Sequence, residues 1–599
     1  MDTGTLTIKQ IFGQDRRLVV PLFQRPYVWK RDTQWEPLWN DVQMVAEHLL
    51  KQEPVRPHFL GAIVLDQIRK PLGYVESRLI IDGQQRLTTI QLLLEAFADI
   101  CVEFGTEKYH KALLKLTRND DPMSEAVEEK YKIWPTNIDQ EHFCHVMDAS
   151  SPLELLKAYD TKSSAHSVGY TIADCYLFFY DEIRNWIAPQ TEGDESRIEA
   201  LYNALREYMR MVVIDLDKED DAQLIFETLN ARGTPLLPSD LVKNFIFHKA
   251  DIEGEKIEPL YEKYWKSFDA ETKFWRQEIG PGHAKRARID LYLQHYLALC
   301  TRDEVPSAQI YATFRDTANK TPQVTAKQHL SNLRRYADIY QSFSQLDRDN
   351  QVGIFFYRLD IIGITTLYPF LLALFEKYGT GNEEVEMVLK DLESYLVRRM
   401  ICQLSTRAYN RTFLDLLTVF SDSQDSIAKK VRSFLRELDS ESNRWPRDIE
   451  FKQSWMDRPI YNLLQRQRVR MVLEALEQQM FTDFTERLKL KDSLTIEHIM
   501  PQEWAKYWPL PLGVLPDETE VTRNRLIHTF GNLTLLTKAL NPSVSNSAWG
   551  TKKGAIQVHS ALTMNRKLIQ CEEWNENDIE KRGNTLFALA QVIWPAPSA

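Results

Sequence analysis

The sequence predicts a multidomain, predominantly α protein whose N- and C-terminal domains are α+β. Three observations carry this. At 599 residues and 70.1 kDa the chain exceeds the size at which one hydrophobic core stops growing, which excludes a lone small binding module. Hydrophobic residues at 43%, with only 21 Gly and 26 Pro, suit packed cores and exclude a disordered or fibrous chain. Apolar residues recur at three- and four-residue intervals through the middle, whereas short apolar runs that end in polar clusters are confined to the two ends.

Taken in order, residues 1–250 form the first domain, 251–440 a helical connecting domain and 441–599 the last domain. In the first, VVPLFQRPYVW, FLGAIVLDQ and RLIIDGQQRLTTIQLLL read as strands opening into loops or helices. Leu79, Ile80 and Ile81 form a buried-strand signal, and helical spacing begins at Leu87, so Asp82 to Arg86 occupy a strand-to-helix turn. MVVIDL at 211–216 is a second strand candidate, followed by a helix carrying LIFETLNARGTPL. Segments such as Glu384 to Leu404 and Tyr461 to Met480 are helical. At the C-terminus, LTIEHIMPQ is a strand ending at Pro501, GNLTLLT is a second strand, and NPSVSNSAWGTKKGAI is a helix with Asn and Ser as cap candidates.

Charge and cysteines narrow the function. The six cysteines (101, 144, 175, 300, 402, 571) include no C-x-x-C pair, so a thiolate zinc site and a disulfide framework lack their spacing, and reduced core residues are expected. The start MDTGTLTIKQ lacks the pattern of a signal peptide, and the longest apolar stretch, Ile361 to Phe375, is short of membrane length and contains Gly363 and Pro369. A soluble, cytoplasmic chain with no membrane partner is expected. The net charge of −11 argues against indiscriminate coating of nucleic acid, but Val521 to Gln570 holds seven Lys or Arg and no Asp or Glu. That stretch, with Arg523, Arg525, Lys538, Lys552 and Lys553, is where a polyanion such as DNA is expected to bind.

Two constellations carry the chemistry. In the first, Glu497 and His498 are adjacent at a strand end, Asn532 opens the next strand and Asn541 follows nine residues later. Oxygen donors of this kind suit a hydrated divalent ion with positions left for water and phosphate. Adjacent strand residues face opposite ways, so Glu497 and His498 serve one site only if the strand ends at the pair. In the second, Gln24-Arg25-Pro26-Tyr27-Val28-Trp29 and Asp82-Gly83-Gln84-Gln85-Arg86-Leu87-Thr88-Thr89 place Arg and backbone N–H groups where they meet phosphate oxygens. No P-loop motif occurs. Tyr27, Trp29, Trp35 and Trp39 are mainly core candidates, with base stacking as the alternative use. The clusters Lys285, Arg286, Arg288 and Arg466, Arg468, Arg470 suit DNA contacts or solvated helix faces equally.

Glu-His-Ile-Met-Pro-Gln, then Gly-Asn-Leu-Thr-Leu-Leu, then Asn541 resemble the ββα-metal (HNH, or His-Me finger) nuclease pattern. The resemblance implies His498 as general base, Glu497 and Asn541 as ligands of one magnesium or manganese ion, and Asn532 as the residue that steadies the His-bearing loop. Asn546 competes with Asn541 for the second ligand position. The QRPYVW and DGQQRLTT motifs, with Ile225-Phe-Glu-Thr-Leu-Asn230-Ala-Arg-Gly233, resemble the ParB/sulfiredoxin-like domain at the N-terminus of GmrSD-type, modification-dependent restriction enzymes. Together these likenesses imply a type IV restriction endonuclease of anti-phage defence. It would cleave double-stranded DNA bearing hydroxymethylated or glucosylated cytosine, and a nucleoside triphosphate held by Gln24, Arg25, Asp82, Gly83, Gln84, Gln85, Arg86 and Thr88 would stimulate it. With one nuclease site per chain, double-strand cleavage is easier for a homodimer. The alternative is an NTP-dependent DNA-binding sensor or regulator without nuclease activity.

Overall fold

The computed structural model describes residues 2–21, 24–68, 75–120, 127–149, 152–158, 168–187, 195–216, 237–270, 272–280, 285–420, 425–481, 494–508 and 516–597. The chain is mostly helical and divides into two compact units, Met1–Asp290 with Phe314–Ser331, and Leu291–Thr313 with Asn332–Ala599. The expected helix carrying LIFETLNARGTPL lies outside the described residues.

The first unit is built on a mixed six-stranded sheet of β1 (Asp2–Thr7), β2 (Arg16–Val19), β3 (His58–Ile68), β4 (Glu76–Asp82), β5 (Ile133–Trp134) and β6 (Met209–Leu216). Their order is β1-β6-β3-β4-β2-β5, with β1–β6 and β3–β4 antiparallel and the other neighbours parallel. Thr7 and Gln10 form a capping box that starts α1 (Ile8–Phe12), and α2 (Glu36–Leu50) follows with Pro37 in its first turn. The central helix, α3 (Gln84–Glu103), is buried on nearly every side, because the helices Glu107–Thr117 and Val168–Ile187 pack on it. It opens at Gln84, three residues before the helical spacing expected from Leu87, because Gly83 alone makes the turn. Gly83 has φ +95°, and a Cβ there would lie 2.6 Å from Ile63 Cγ2. A short antiparallel pair, β7 (Glu278–Ile279) and β8 (Arg286–Ala287), completes the described strands of this unit.

The second unit is a helical body that continues into a strand pair. Two wholly buried arginines of the helix Glu383–Ile401 knit it together. Arg398 donates to the carbonyls of Trp594 and Pro446 and to Asp448, and Arg399 donates to the carbonyls of Arg444, Ser405 and Ser442. Each guanidinium is thus hydrogen-bonded in several directions, which offsets the cost of burying its charge. β9 (Leu494–His498) pairs antiparallel with β10 (Leu533–Thr537), placing Leu533 opposite His498 and Thr534 opposite Glu497. The expected order of strand, loop, strand, helix is present, with the helix Pro516–Leu526 inserted in the loop. After β10, the helical segment is split into Asn541–Val544 and Trp549–His559, whose N-caps are Leu540 and Ala548 rather than the expected Asn or Ser.

The cysteines are free, but the expected core placement holds only in part. Cys101, Cys175 and Cys402 are buried, Cys144 and Cys571 are half-buried, and Cys300 is exposed. Among the described residues, no helix is long and apolar enough to cross a membrane.

Candidate active site

β9 ends at His498, so the Glu497–His498 pair sits at a strand terminus. Asn532, in the short turn before β10, is wholly buried and fixes the loop that leaves this terminus. Its Nδ2 donates to the carbonyls of Met500 (2.8 Å) and Ile527 (3.0 Å), and its Oδ1 accepts from Met500 N (2.8 Å) and Trp574 Nε1 (3.1 Å). Four satisfied bonds in a dry core make Asn532 a rigid brace. The core beneath it includes Ile499, Met500, Trp504, Leu536, Trp549 and Trp574.

His498 is also buried, and both ring nitrogens have neighbours. His528 Nδ1 lies 3.3 Å from His498 Nε2, and the Gln502 amide nitrogen lies 3.4 Å from His498 Nδ1. Tyr461 meets the His498 ring edge-on at 4.3 Å, and Arg466 covers the other ring, that of Tyr461. Burial, with the charges of His528, Lys552 and Arg466, pushes the His498 imidazole down to about 3, so it is neutral at cellular pH and keeps a lone pair. Burial and Arg466 lower His528 in the same direction.

Glu497 has a partner that sequence reasoning placed elsewhere. Lys552, expected on the DNA-facing surface, is wholly buried in the helix Trp549–His559. Its Nζ donates to Glu497 Oε1 (2.5 Å) and to the His498 carbonyl (2.6 Å). Burial raises the Glu497 pKa and lowers that of Lys552, while each charge opposes the shift of the other. The reason for the error is tertiary: an acid-free stretch in sequence finds its acid across the fold.

The other basic candidates divide. Arg523 is buried, ion-paired with Glu576 and bonded to the Trp508 carbonyl, so it too is structural. Arg525 pairs with Asp457, and Lys553 donates to the Cys571 carbonyl at 2.9 Å. Lys538 is exposed, as are Arg566 and Lys567. Asn541 turns its Nδ2 onto β9, to Thr495 Oγ1 (3.0 Å) and the Ile496 carbonyl (2.9 Å). Asn546 points its amide nitrogen at Glu503 from an open cleft also lined by Lys506 and Tyr507. Among the described residues, no group of three or more His, Cys, Asp or Glu gathers as a metal cage.

In the first unit, the two N-terminal motifs are brought together, largely by their own glutamines. Gln24 Nε2 donates to the carbonyls of Ile80 and Ile81, Gln84 Nε2 to Arg25 O, and Gln85 bridges Pro26 O and Val28 N. Arg86 donates to Ala62 O at a bulge in β3, where a Cβ on Gly61 would come within 2.9 Å of its Nη2. Thr88 is buried in α3. These expected phosphate contacts are therefore spent on backbone, which is how two loops are locked without secondary structure. Arg25 and Asp82 stay at the surface of this lock. The Arg25 guanidinium is half-buried, and burial lowers its pKa against the opposing pull of Asp240 and Asp82. Tyr27, Trp35 and Trp39 are buried and Trp29 packs partly against the same core, so the aromatic group serves packing. The sequence marks no role for His528, Tyr461 or Gln502, though Gln502 ends the Glu-His-Ile-Met-Pro-Gln motif.

The first unit holds a mixed sheet with a glutamine-locked turn and the second a strand pair ending in a braced histidine, and two family models match the chain in that order. Residues 8–247 match the N-terminal domain of the GmrSD restriction endonuclease, and residues 445–589 match the C-terminal domain of GmrSD restriction endonucleases. The chain belongs to the GmrSD family of restriction endonucleases. No curated protein matches it.

Proposed function

We propose that this chain is a type IV restriction endonuclease that hydrolyses phosphodiester bonds in DNA carrying modified cytosine. The observation that carries it is the seat of His498: buried, at a strand end, and held by a loop that Asn532 braces. A neutral imidazole takes a proton from an attacking water on its unprotonated nitrogen, and a rigid seat keeps the ring aimed.

The donors nearby fit a divalent ion in kind. Glu497 offers a carboxylate and Asn541 an amide oxygen, hard ligands of the sort magnesium and manganese use with water and phosphate. When bound, the ion supplies positive charge to the leaving oxygen. Lys552 is the countercharge that Glu497 carries otherwise. Asn532 excludes water from beneath the loop, and Lys552, through the His498 carbonyl, holds the strand end in place.

Nucleoside triphosphate control belongs, in this proposal, to Arg25, Asp82 and the start of α3. That start has no side-chain cap and no acidic residue in its first turn, so its N–H groups suit a phosphate. Gln24, Gln84, Gln85 and Arg86 hold the backbone around that turn instead of touching ligand.

The test is nicking of a plasmid containing hydroxymethylcytosine, with magnesium or manganese and with or without nucleotide. His498→Ala should lose activity by about 10²- to 10⁴-fold while DNA affinity holds. A folded His498→Ala protein that nicks at the wild-type rate overturns the assignment. The Lys552–Glu497 pair favours a second reading, a DNA-binding sensor whose C-terminal fold grips without cutting. Wild-type protein that binds modified DNA but never nicks it under any of these conditions would establish that reading.

A further inference from the structure

We propose that His528 is a positioning residue that selects the tautomer of His498, keeping the proton on Nε2 and the lone pair on Nδ1, which Gln502 faces. The inference rests on the reading of His498 as the general base.

Proton counting over three side chains leads to it. An amide nitrogen only donates, so Gln502 Nε2, 3.4 Å from His498 Nδ1, requires that nitrogen to carry a lone pair. A neutral imidazole holds one proton, which then sits on Nε2. Nε2 is 3.3 Å from His528 Nδ1, so His498 donates and His528 accepts, and the proton of His528 lies on its own Nε2. The chain of donors is directional: Gln502 to His498 to His528.

His528 is itself held for this task. Tyr461 stacks on it with ring planes 13° apart, and Tyr461 N donates to the His528 carbonyl at 3.1 Å. Tyr461 also meets His498 edge-on, so one aromatic ring sets the angle between the two imidazoles, whose planes cross at 87°. Remove the His528 acceptor and the buried Nε2–H of His498 loses its partner, which favours the other tautomer or a turned ring. The Gln502 amide holds the Nδ1 lone pair, so a water gives its proton to Nδ1 only once that amide has moved aside.

The variants follow from atom positions. In His528→Asn, Oδ1 takes the place of Nδ1 and still accepts, whereas His528→Leu puts a methyl group there. Full-length protein with ring-¹⁵N histidine is read at neutral pH by long-range nitrogen–proton correlations, with the His498 signals assigned by their loss in His498→Ala. Wild type and His528→Asn should show His498 protonated on Nε2, and His528→Leu should show a shifted or mixed tautomer. In plasmid nicking, kcat should fall about 10- to 100-fold in His528→Leu with KM little changed, and return towards wild type in His528→Asn. If His528→Leu fails to fold, His528→Ala supplies the same comparison. An unchanged His498 tautomer in the apolar variants, or equal loss in His528→Asn and His528→Leu, overturns the proposal. Wild-type nicking by His498→Ala would instead remove the general base, and the tautomer spectra would still decide what His528 does to the ring.

Discussion

Asp139 shows how a single buried carboxyl can carry a loop. Its Oδ2 accepts from Tyr27 N and from Thr136 Oγ1, both at 2.9 Å, so it pins the segment that begins with Gln24 and Arg25. Among the described residues its Oδ1 has no hydrogen-bond partner, and burial pushes the carboxyl up to about 7 from an ordinary 3.8. The folded state therefore binds the proton more tightly than the unfolded chain. Stability from this group is full below the unfolded value and is lost as pH rises towards the folded one, a window from about 4 to about 7. Asp139→Asn keeps an acceptor for Tyr27 and removes the titration. Urea midpoints across that window should fall with rising pH more steeply in wild type than in Asp139→Asn, and parallel curves would clear Asp139 of the effect. His498, at the other end of the chain, is shifted the opposite way by the same burial, because for a base the charged form is the protonated one.

At the scale of elements, Lys552 joins the helix Trp549–His559 to the end of β9. Removing one partner of a buried pair leaves the other charged and dry, so Lys552→Met should cost about 3–5 kcal/mol, read as a lower Tm. It also frees Glu497, and added manganese should then raise the Tm of Lys552→Met by more than it raises that of wild type. A variant as stable as wild type would mean the pair does not hold helix to strand. This joint could not be read from sequence. Lys552 stands beside Lys553 in a segment without acids, and its countercharge lies 55 residues earlier on another element. The elements themselves were legible where local physics decides them. Gly83 marks the turn after β4, Pro501 follows the end of β9, and the LTLLT of GNLTLLT forms the expected strand after a turn at Gly531 and Asn532. The part of Asn532 was implied by the resemblance to ββα-metal nucleases, and its bonds to Met500 and Ile527 tie down the loop after His498. The uses of Gln24, Gln84 and Gln85 were not legible, because a polar side chain that satisfies backbone and one that binds phosphate have the same sequence. His528 was hidden for a related reason: a lone histidine has no spacing pattern, and only the fold sets it against His498.

For the whole molecule the electrostatic question is how a chain of net charge −11 attracts a polyanion. The seven basic residues between Val521 and Gln570 do not act together. Lys552 and Arg523 are buried in ion pairs, Arg525 is paired with Asp457, and Lys553 is tied to the Cys571 carbonyl. Lys538, Arg566 and Lys567 remain exposed, so backbone contacts to DNA are expected from them. Each phosphate contact releases counterions, and losing one should flatten the dependence of log affinity on log salt by about one unit. The triple variant Lys538→Ala, Arg566→Ala, Lys567→Ala should therefore show a shallower slope than wild type, measured by fluorescence anisotropy over a salt series. It should weaken binding to modified and unmodified DNA by similar factors, because contacts to the backbone carry no information about the bases. Its Tm should match that of wild type, unlike Lys552→Met, whose missing charge belongs to the interior. A triple variant with an unchanged slope would place the DNA-binding surface outside this segment, and one that keeps its slope but loses preference for modified DNA would make these three residues part of the reader.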